Sequence, residues 1–279
     1  MLKANALGPL GLMGFALPDP KSLRLQLGEP GHALERLRAE ESLFMKKLRE
    51  IAFFSKHLGK TVLRNYQTEV AEAIVDSVIH QRGLSFVVMF PRQSGKNHVQ
   101  AQIEVYLMAL FAQKGAEMIK FSPTYAPQCQ NAMRRLEAAL DANSFTKGHW
   151  RKSSGNHYRL QNAHMSFLSA SPGSNIVGAT ASTLLALDEA QDIEIDKYDK
   201  QIAPMAASTN ATRVFWGTAW SGQTLLAREL HQAREAEAQD GIRRVFKLSA
   251  EDVRLEVPAY GQFVDEQVRR LGRTHPMVR

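Results

Sequence analysis

The chain has 279 residues, with 35 Lys and Arg against 28 Asp and Glu, for a formal net charge of +7. Hydrophobic residues make up 44% of it, an ordinary globular share that excludes a disordered tail protein or a fibrous repeat. Its single cysteine, Cys129, excludes a disulfide framework and a cysteine-based zinc site, and fits a reducing cytoplasm. The length predicts one large domain, or one domain with appendages, and the basic charge is compatible with a polyanionic partner.

Residues 1–60 are predicted to form a leader and a helical segment. No apolar run approaches the roughly 20 residues needed to cross a bilayer, so we expect no membrane span. Glycine and proline interrupt the apolar stretch within residues 1–18, which we interpret as a leader or docking arm rather than a secretion signal. Over residues 32–58 apolar side chains recur at helical spacing, which predicts an amphipathic helix.

The rest of the chain alternates strands and helices. The apolar run at residues 84–90 follows a predicted helix over 66–81 and is typical of a buried parallel strand. The other predicted elements are helices over 99–113, 127–140, 222–239 and 262–271, strands over 117–121, 183–187, 213–216 and 243–248, and a hairpin of 158–161 with 165–168 that turns at Asn162 and Ala163. This alternation predicts an α/β domain over residues 61–279, with a central, mainly parallel sheet flanked by helices.

Residues 90–97 lie between a predicted strand and a predicted helix, where a phosphate-binding loop belongs. In such a loop backbone N–H groups face phosphate oxygens and a lysine neutralises the outer phosphates. The pattern G-x-x-x-x-G-K-[ST] is broken twice, because Phe90 replaces the first glycine and Asn97 replaces the hydroxyl residue that binds Mg²⁺. A basic turn that caps a helix is the alternative for this segment alone. The candidate nucleotide-binding residues are Pro91, Gln93, Ser94, Gly95, Lys96 and Asn97.

Two adjacent carboxylates, Asp188 and Glu189, end the apolar strand at residues 183–187. Strand alternation directs the two side chains differently. Asp188 can therefore face Mg²⁺, directly or through water, while Glu189 can polarise the water that attacks the terminal phosphate of ATP. A solvated pair at the start of a helix is the alternative, but the upstream phosphate loop favours the catalytic interpretation.

A third strand, at residues 213–216, ends in Gly217, Thr218 and Ala219. Ligands of doubly wound sheets bind at the carboxyl ends of strands, so Thr218 is expected near the γ-phosphate, where its hydroxyl can sense that group. A simple strand-to-helix turn explains this segment equally well.

Tyr66 and Gln67 precede the phosphate loop at the start of a predicted helix. A glutamine amide offers the donor and acceptor that the adenine edge requires, and a tyrosine ring adds stacking area. A Tyr-Gln dipeptide alone does not indicate nucleotide binding. Its position upstream of the phosphate loop is what favours that interpretation.

Together, in this order, these motifs resemble the large terminase subunit of tailed bacteriophages, the ATPase that packages DNA into procapsids. The resemblance extends from residue 63 to the C-terminus and implies a P-loop NTPase fold of the RecA/ASCE type, with ATP and Mg²⁺ as cofactors. It implies that Lys96 and Glu189 are catalytic, that Arg92 stabilises γ-phosphate charge from within the same subunit, and that Asp188 and Asn97 bind Mg²⁺.

The resemblance also implies partners and a location. Gly217, Thr218 and Ala219 match the family's coupling motif, and Tyr66 with Gln67 its adenine-reading motif. Double-stranded DNA, a portal protein, a small terminase subunit and further copies in a homo-oligomeric ring are the implied partners, in the cytoplasm of a bacterial host.

Two features depart from the family. Many relatives have an arginine, directed at the neighbouring subunit, at the position of Val177, before Gly178; Arg134 or Arg135 is a candidate substitute, although exposed helix arginines commonly only face solvent. Relatives also carry a C-terminal nuclease domain. Here the residues after 219 complete the ATPase core, so we expect no nuclease activity and interpret the chain as a truncated or split protein.

The remaining candidates are histidines and a basic stretch. The spacing of His149, His157 and His164 fits no common zinc site, which favours surface or hairpin histidines. Residues 147–159, which are basic and include Trp150 and Tyr158, are either a DNA-backbone contact or a solvated loop.

Two other functions stay open at this point. A helicase-like translocase would use the same nucleotide core but needs a second core of similar size. A non-hydrolysing DNA-binding or assembly factor would bind nucleotide or DNA without turnover.

Overall fold

The computed structural model describes residues 30–174, 176, 178–218 and 222–272. Eight strands of this part form a sheet in the order β3-β4-β5-β2-β6-β7-β1-β8. The pairs β3–β4 and β4–β5 are antiparallel, whereas the other neighbouring pairs are parallel. The strands are β1 (Ser85–Met89), β2 (Ala116–Ser122), β3 (Trp150–Ser154), β4 (His157–Leu160), β5 (Ala163–Ser169), β6 (Leu184–Leu187), β7 (Thr212–Gly217) and β8 (Val245–Lys247). The predicted α/β fold with a mainly parallel sheet is confirmed.

Helices cover both faces of this sheet. On β1, Phe86 and Val88 pack into one apolar cluster with α2, α3, α4 and α5, while Val87 and Met89 pack into a second cluster with α7. This burial on both faces explains why the strand is a continuous apolar run. The helices are α1 (Pro30–Lys47), α2 (Ile51–His57), α3 (Asn65–Ile79), α4 (Lys96–Leu110), α5 (Gln130–Ala142), α6 (Ile195–Lys197), α7 (Leu225–Asp240), α8 (Ala250–Glu256) and α9 (Pro258–Leu271).

The helix predicted over residues 32–58 is wrong in one respect, because a turn at 48–50 divides it into α1 and α2. Leu48 and Ile51 are both buried on either side of this turn. The carbonyl of Arg49 accepts a hydrogen bond from the Tyr106 hydroxyl of α4 at 2.6 Å. Packing against α4 therefore decides where the helix breaks. The predicted leader at residues 1–18 lies outside the described residues.

The sequence patterns do not predict β3, α6 or α8. The edge strand β3 falls in the stretch interpreted as a DNA contact or loop, and it is exposed and polar, so it lacks the apolar alternation of a strand. Helix α8 begins with a capping box formed by Ser249 and Asp252, and Pro258 starts α9 directly afterwards. No described helix is long and apolar enough to span a membrane.

Candidate functional site

Three neighbouring strands, β6, β7 and β1, end at the same edge of the sheet. Because they are parallel, their carboxyl ends bring together the loop after β1, the two carboxylates after β6 and the turn after β7. A cavity of about 510 Å³ lies between them. Its lining residues are Arg92, Asn97, Gln128, Asn131, Arg135, Asp188, Glu189, Gln191, Asp192 and Thr218.

The loop after β1 has the backbone form that a phosphate loop needs at its glycine. Gly95 directly precedes α4 and has φ of +91°, in the left-handed region. A Cβ at this position would collide with the Gln67 amide and approach the Arg64 guanidinium, so both conformation and space require glycine. The hydroxyl of buried Ser94 donates to the Pro91 carbonyl at 2.7 Å, which closes the loop on itself.

Helix α3 holds this loop from outside. The Tyr66 hydroxyl donates to the Ser94 carbonyl at 2.8 Å, and Gln67 Nε2 donates to the Gly95 carbonyl at 3.2 Å. Gln67 Oε1 accepts from the Arg64 backbone N–H at 3.0 Å, and the residue is 1% exposed. The amide predicted to read adenine therefore has both functions engaged by the protein backbone, and in this arrangement it supports the loop.

Lys96 links the loop to the carboxylates after β6. Its Nζ lies 2.5 Å from Glu189 Oε1 and 3.2 Å from Asp188 Oδ1. Glu189 has φ of +47°, a left-handed conformation that is uncommon for a residue with a side chain and clusters at functional sites. The turn sends the two carboxylates to different positions around one ammonium group. Asp188, Glu189 and Lys96, three sequence-predicted residues, are thus brought together.

Asp188 is held as a carboxylate despite being buried. Burial alone would raise its pKa, but the charges of Lys96 and Lys120 and a hydrogen bond from Gln100 Nε2 at 3.1 Å hold it below its ordinary value. Asp192, also at the cavity, has a raised pKa because it is partly buried and close to Glu189. The site therefore keeps a charged carboxylate at its base.

Asn97 and Asp188 have the chemistry of a magnesium site. Asn97 Oδ1 is buried and has no hydrogen-bond partner in the described part of the chain, although it lies beside the cavity. An orphaned buried carbonyl oxygen near a carboxylate is suited to a hard cation, because Mg²⁺ prefers oxygen ligands. These residues fit Mg²⁺, with Asn97 in the place of the usual hydroxyl.

The turn after β7 meets the carboxylates through a residue that the sequence analysis assigned no role. Gln191 Nε2 donates to Glu189 Oε2 at 2.7 Å, and the backbone N–H of Thr218 donates to Gln191 Oε1 at 3.3 Å. Its position two residues after Glu189 was the available signal. Thr218 lines the cavity, and Ala219 lies outside the described residues.

Solved structures with a similar arrangement of elements include large terminases of bacteriophages. The HK97 bacteriophage large terminase aligns with a TM-score of 0.57 at 15% identity, over 80% of this chain and 54% of its own. The large terminase ATPase domain of Thermus phage P74-26 aligns with a TM-score of 0.53 at 17% identity, over 68% of this chain and 83% of its own. A large terminase from another thermophilic bacteriophage, in complex with ADP, aligns with a TM-score of 0.57 at 12% identity, over 77% of this chain and 52% of its own.

The fold is that of a phage large terminase ATPase domain. The chain spans about half the length of the HK97 large terminase and of the ADP-bound large terminase, and most of the P74-26 ATPase domain. No protein-family model matches the sequence, and a search of curated proteins finds no significant match. At 12–17% identity, the likeness that these comparisons show is one of fold.

Helix α5 and the turn before it form a further wall of the cavity. Gln128, Asn131 and Arg135 reach the cavity from this wall. The neighbouring Arg134 instead donates to Asn131 Oδ1 at 3.0 Å and does not line the cavity. The structure thus separates the two arginines considered as substitutes for the family's intersubunit arginine. Val177, at that family position, lies outside the described residues.

The three histidines have ordinary positions. His157 Nδ1 lies 2.7 Å from Ser166 Oγ, and His164 Nδ1 lies 2.8 Å from Glu117 Oε1. His149 is exposed in the turn before β3. In the described ranges, no group of three or more His, Cys, Asp or Glu side chains is arranged to hold a metal ion.

Proposed function

We propose that this chain is the ATP-hydrolysing motor domain of a viral DNA-packaging terminase, converting ATP and water to ADP and phosphate. The observation that carries the proposal is Lys96 Nζ, which contacts both Glu189 and Asp188 beside a cavity. Phosphoryl transfer needs mainly positioning and charge stabilisation, and this cluster has the groups for both. The terminase-like fold at the same strand ends supports the assignment.

Each group at the cavity has a task in this reaction. Glu189 orients and polarises the attacking water, and Lys96 neutralises the β- and γ-phosphates. Asp188 and Asn97 would hold Mg²⁺, which supplies charge neutralisation between the phosphates when it is bound. The glycine loop and the N-terminus of α4 direct backbone N–H groups at the phosphates.

Two arginines supply further positive charge. Arg92 is exposed in the loop and Arg135 projects from α5, and both line the cavity. A triphosphate brings several negative charges to a site that already contains Asp188, Glu189 and Asp192, so these guanidinium groups offset the repulsion. We assign Arg92 to the γ-phosphate from within the same subunit.

The base of the nucleotide would lie toward the N-terminus of α3. Tyr66 is partly exposed and its ring lies near Arg64, with 6.0 Å between the guanidinium carbon and the ring centre. Tyr66 supplies stacking area, while Gln67 fixes the loop through Gly95. Direct reading of adenine by Gln67 would require release of its two backbone hydrogen bonds.

Double-stranded DNA is the polyanionic partner that we propose for the basic hairpin of β3 and β4. Arg151 and Arg159 face each other across this antiparallel pair, and both are exposed. Like charges in direct register destabilise a strand pair, so an anion placed between them is favoured. Lys147 and Lys152 add charge on the same segment, although Lys152 is paired with Glu137 at 3.0 Å. DNA phosphates fit this surface without base recognition.

Movement on DNA, coupled through Gly217, Thr218 and Ala219, completes the proposal. In it the motor works as a homo-oligomeric ring with a portal protein and a small terminase subunit, in the bacterial host cytoplasm. In this proposal residues 61–279 are assigned to the ATPase domain and residues 1–60 to a leader and helical segment, of which residues 30–60 are described.

The test is Mg²⁺-dependent ATP hydrolysis across a range of protein concentrations, with and without double-stranded DNA. We expect turnover that DNA stimulates, and a steep dependence on protein concentration if neighbouring subunits share the site. An Arg151→Glu/Arg159→Glu variant should lose the DNA stimulation and keep the DNA-free rate, because the hairpin lies apart from the cavity lining. Tight nucleotide binding without turnover at every concentration would instead favour a non-hydrolysing assembly factor.

A further inference from the structure

The side chain of Gln191 bridges two parts of the site that belong to different strands. Its amide nitrogen donates to Glu189 Oε2 at 2.7 Å after β6, and its carbonyl oxygen accepts from the Thr218 N–H at 3.3 Å after β7. A glutamine amide has one donor end and one acceptor end, and here each end meets the group that needs it. The bridge is therefore specific for an amide.

Gly217 leaves the space that the carbonyl oxygen of Gln191 occupies in this bridge. A Cβ on Gly217 would collide with Gln191 Oε1 and would lie 2.5 Å from Leu226 Cδ2. The Gly217 carbonyl accepts from the Phe90 N–H at 3.1 Å, at the start of the phosphate loop. The turn after β7 thus has Gln191 on one side and the backbone of the loop on another. A displacement of Gln191 can therefore be transmitted directly to the turn after β7 and, through that turn, to the backbone of the phosphate loop.

Glu189 has its two oxygens held by different partners. Oε1 lies against Lys96 and Oε2 against Gln191. In the proposed reaction Lys96 also neutralises the phosphates, so it is shared between Glu189 and the nucleotide. Gln191 has no such second task, and its amide nitrogen otherwise contacts only the neighbouring Asp192 among charged groups of the described residues, at 3.3 Å. Gln191 is then the group that sets the orientation of the Glu189 carboxylate.

We propose that Gln191 is a positioning residue that couples the catalytic carboxylate to the turn after β7, so that a change at Glu189 is transmitted to the Thr218 backbone. This inference rests on the proposed function, because it assigns the path between hydrolysis and the coupling motif. The path is one side chain long. Gln191→Glu keeps an acceptor for Thr218 but replaces the donor with a second negative charge beside Glu189, and Gln191→Met removes both hydrogen bonds at similar size.

Amide hydrogen exchange of Thr218 tests the bridge directly, and it is measured by NMR on protein labelled with ¹⁵N-threonine, with and without the ATP analogue ATPγS. We expect Gln191→Met to raise Thr218 exchange on the order of tenfold, as for a lost hydrogen bond, and to abolish its response to ATPγS. Gln191→Glu should keep most of the Thr218 protection. Gln239→Met, at an exposed position on α7, is the matched control and should behave as wild type.

Steady-state kinetics give the second readout. Both Gln191 variants should lose kcat, by about tenfold or more, with little change in KM for ATP, because Glu189 acts on the attacking water rather than on binding. Thermal unfolding of each variant shows whether the fold is kept, and the isosteric Gln191→Glu provides the result if Gln191→Met does not fold.

The outcomes separate this inference from the proposed function. If wild type does not bind ATPγS, the proposed function fails. If wild type and Gln191→Met bind ATPγS equally and Thr218 responds in the same way in both, the bridge transmits nothing and the inference is overturned. Unchanged kcat in Gln191→Glu would also overturn it, because the donor to Glu189 would then have no consequence.

Discussion

Helix α4 contributes to two lysine–carboxylate clusters, which differ in their position relative to the cavity. At its N-terminus Lys96 contacts Asp188 and Glu189, and further along the helix Glu104 pairs with Lys120 of β2 at 2.7 Å. Lys96 is 8% exposed and Lys120 is 3% exposed. The first cluster borders the cavity, while neither member of the second pair lines it. Burial and pairing alone therefore do not distinguish a reaction site from a structural ion pair.

The two clusters are connected through Asp188. Gln100, one helical turn from both Lys96 and Glu104, donates to Asp188, and the charge of Lys120 helps to hold the pKa of Asp188 low. Burial raises the pKa of Glu104 while Lys120 opposes that shift. Lys120 thus supplies a positive charge behind the cluster of Lys96, Asp188 and Glu189. Substitution of Lys96 should mainly reduce turnover, whereas substitution of Lys120 should mainly reduce stability.

Lys96→Met should give the largest effect on function. Removal of this charge takes away the neutralisation of the phosphates and leaves Asp188 and Glu189 without this partner, so kcat/KM for ATP should fall by at least about a thousandfold. The free energy of unfolding should change less than in Lys120→Met, because Asp188 keeps the charge of Lys120 and the hydrogen bond from Gln100, and Glu189 is partly exposed. ATPase assays and urea unfolding of the same preparations measure both.

Lys120→Met should give the largest effect on stability. Loss of one partner leaves Glu104 buried without its counterion, which costs about 3–5 kcal/mol in comparable buried pairs. Adding Glu104→Leu should recover at least half of that loss, since the uncompensated charge is then gone. A double variant that unfolds at the same urea concentration as Lys120→Met would show that the pair is not the source of the stability.

Sequence patterns predicted the strands and site residues whose cause is local. The apolar run before Pro91, the strand before Asp188 and the glycine before Lys96 each depend on neighbouring residues, and each was found. Gln191 was missed because its role depends on Thr218, from another strand. The assignment of Gln67 to adenine stays a prediction, and its hydrogen bond to the loop carbonyl of Gly95 is not visible in one segment of sequence.

Longer-range packing explains the remaining differences. The break between α1 and α2 is set by α4, which lies far along the chain. No sequence pattern singles out Glu104 and Lys120, because their pairing requires α4 to lie against β2. Cavity lining by Arg135 but not Arg134 is likewise fixed by the orientation of α5. A sequence pattern cannot supply such contacts when both partners are polar.

The reactivity of Cys129 reports whether the buried region around Lys120 stays closed to solvent. Burial raises the pKa of its thiol to about 11, with Lys120 opposing the shift. The reactive thiolate is therefore scarce at pH 8, and alkylation by iodoacetamide should be about a hundredfold slower than for an exposed cysteine. The rate should rise as pH approaches 11, where the thiolate becomes abundant. Mass spectrometry of timed samples measures it, and rapid labelling of the wild type would contradict this environment.

The two arginines of α5 extend the comparison to smaller effects. Arg135→Ala should raise KM for ATP by about tenfold, because it removes a charge from the cavity wall, as expected for loss of one charge-assisted hydrogen bond. Arg134→Ala is the matched control, since this neighbour pairs with Asn131 and does not line the cavity. Equal kinetics in the two variants would remove Arg135 from the nucleotide site.

The most direct measurement is the rate of ATP hydrolysis by wild type and Glu189→Gln in the presence of Mg²⁺, with nucleotide binding measured on the same samples. Glutamine keeps the size of the side chain but cannot polarise water as a carboxylate does. We predict that the variant binds ATP as well as wild type does and that its turnover is reduced by at least about a thousandfold. Turnover retained in Glu189→Gln would contradict the assignment of this site.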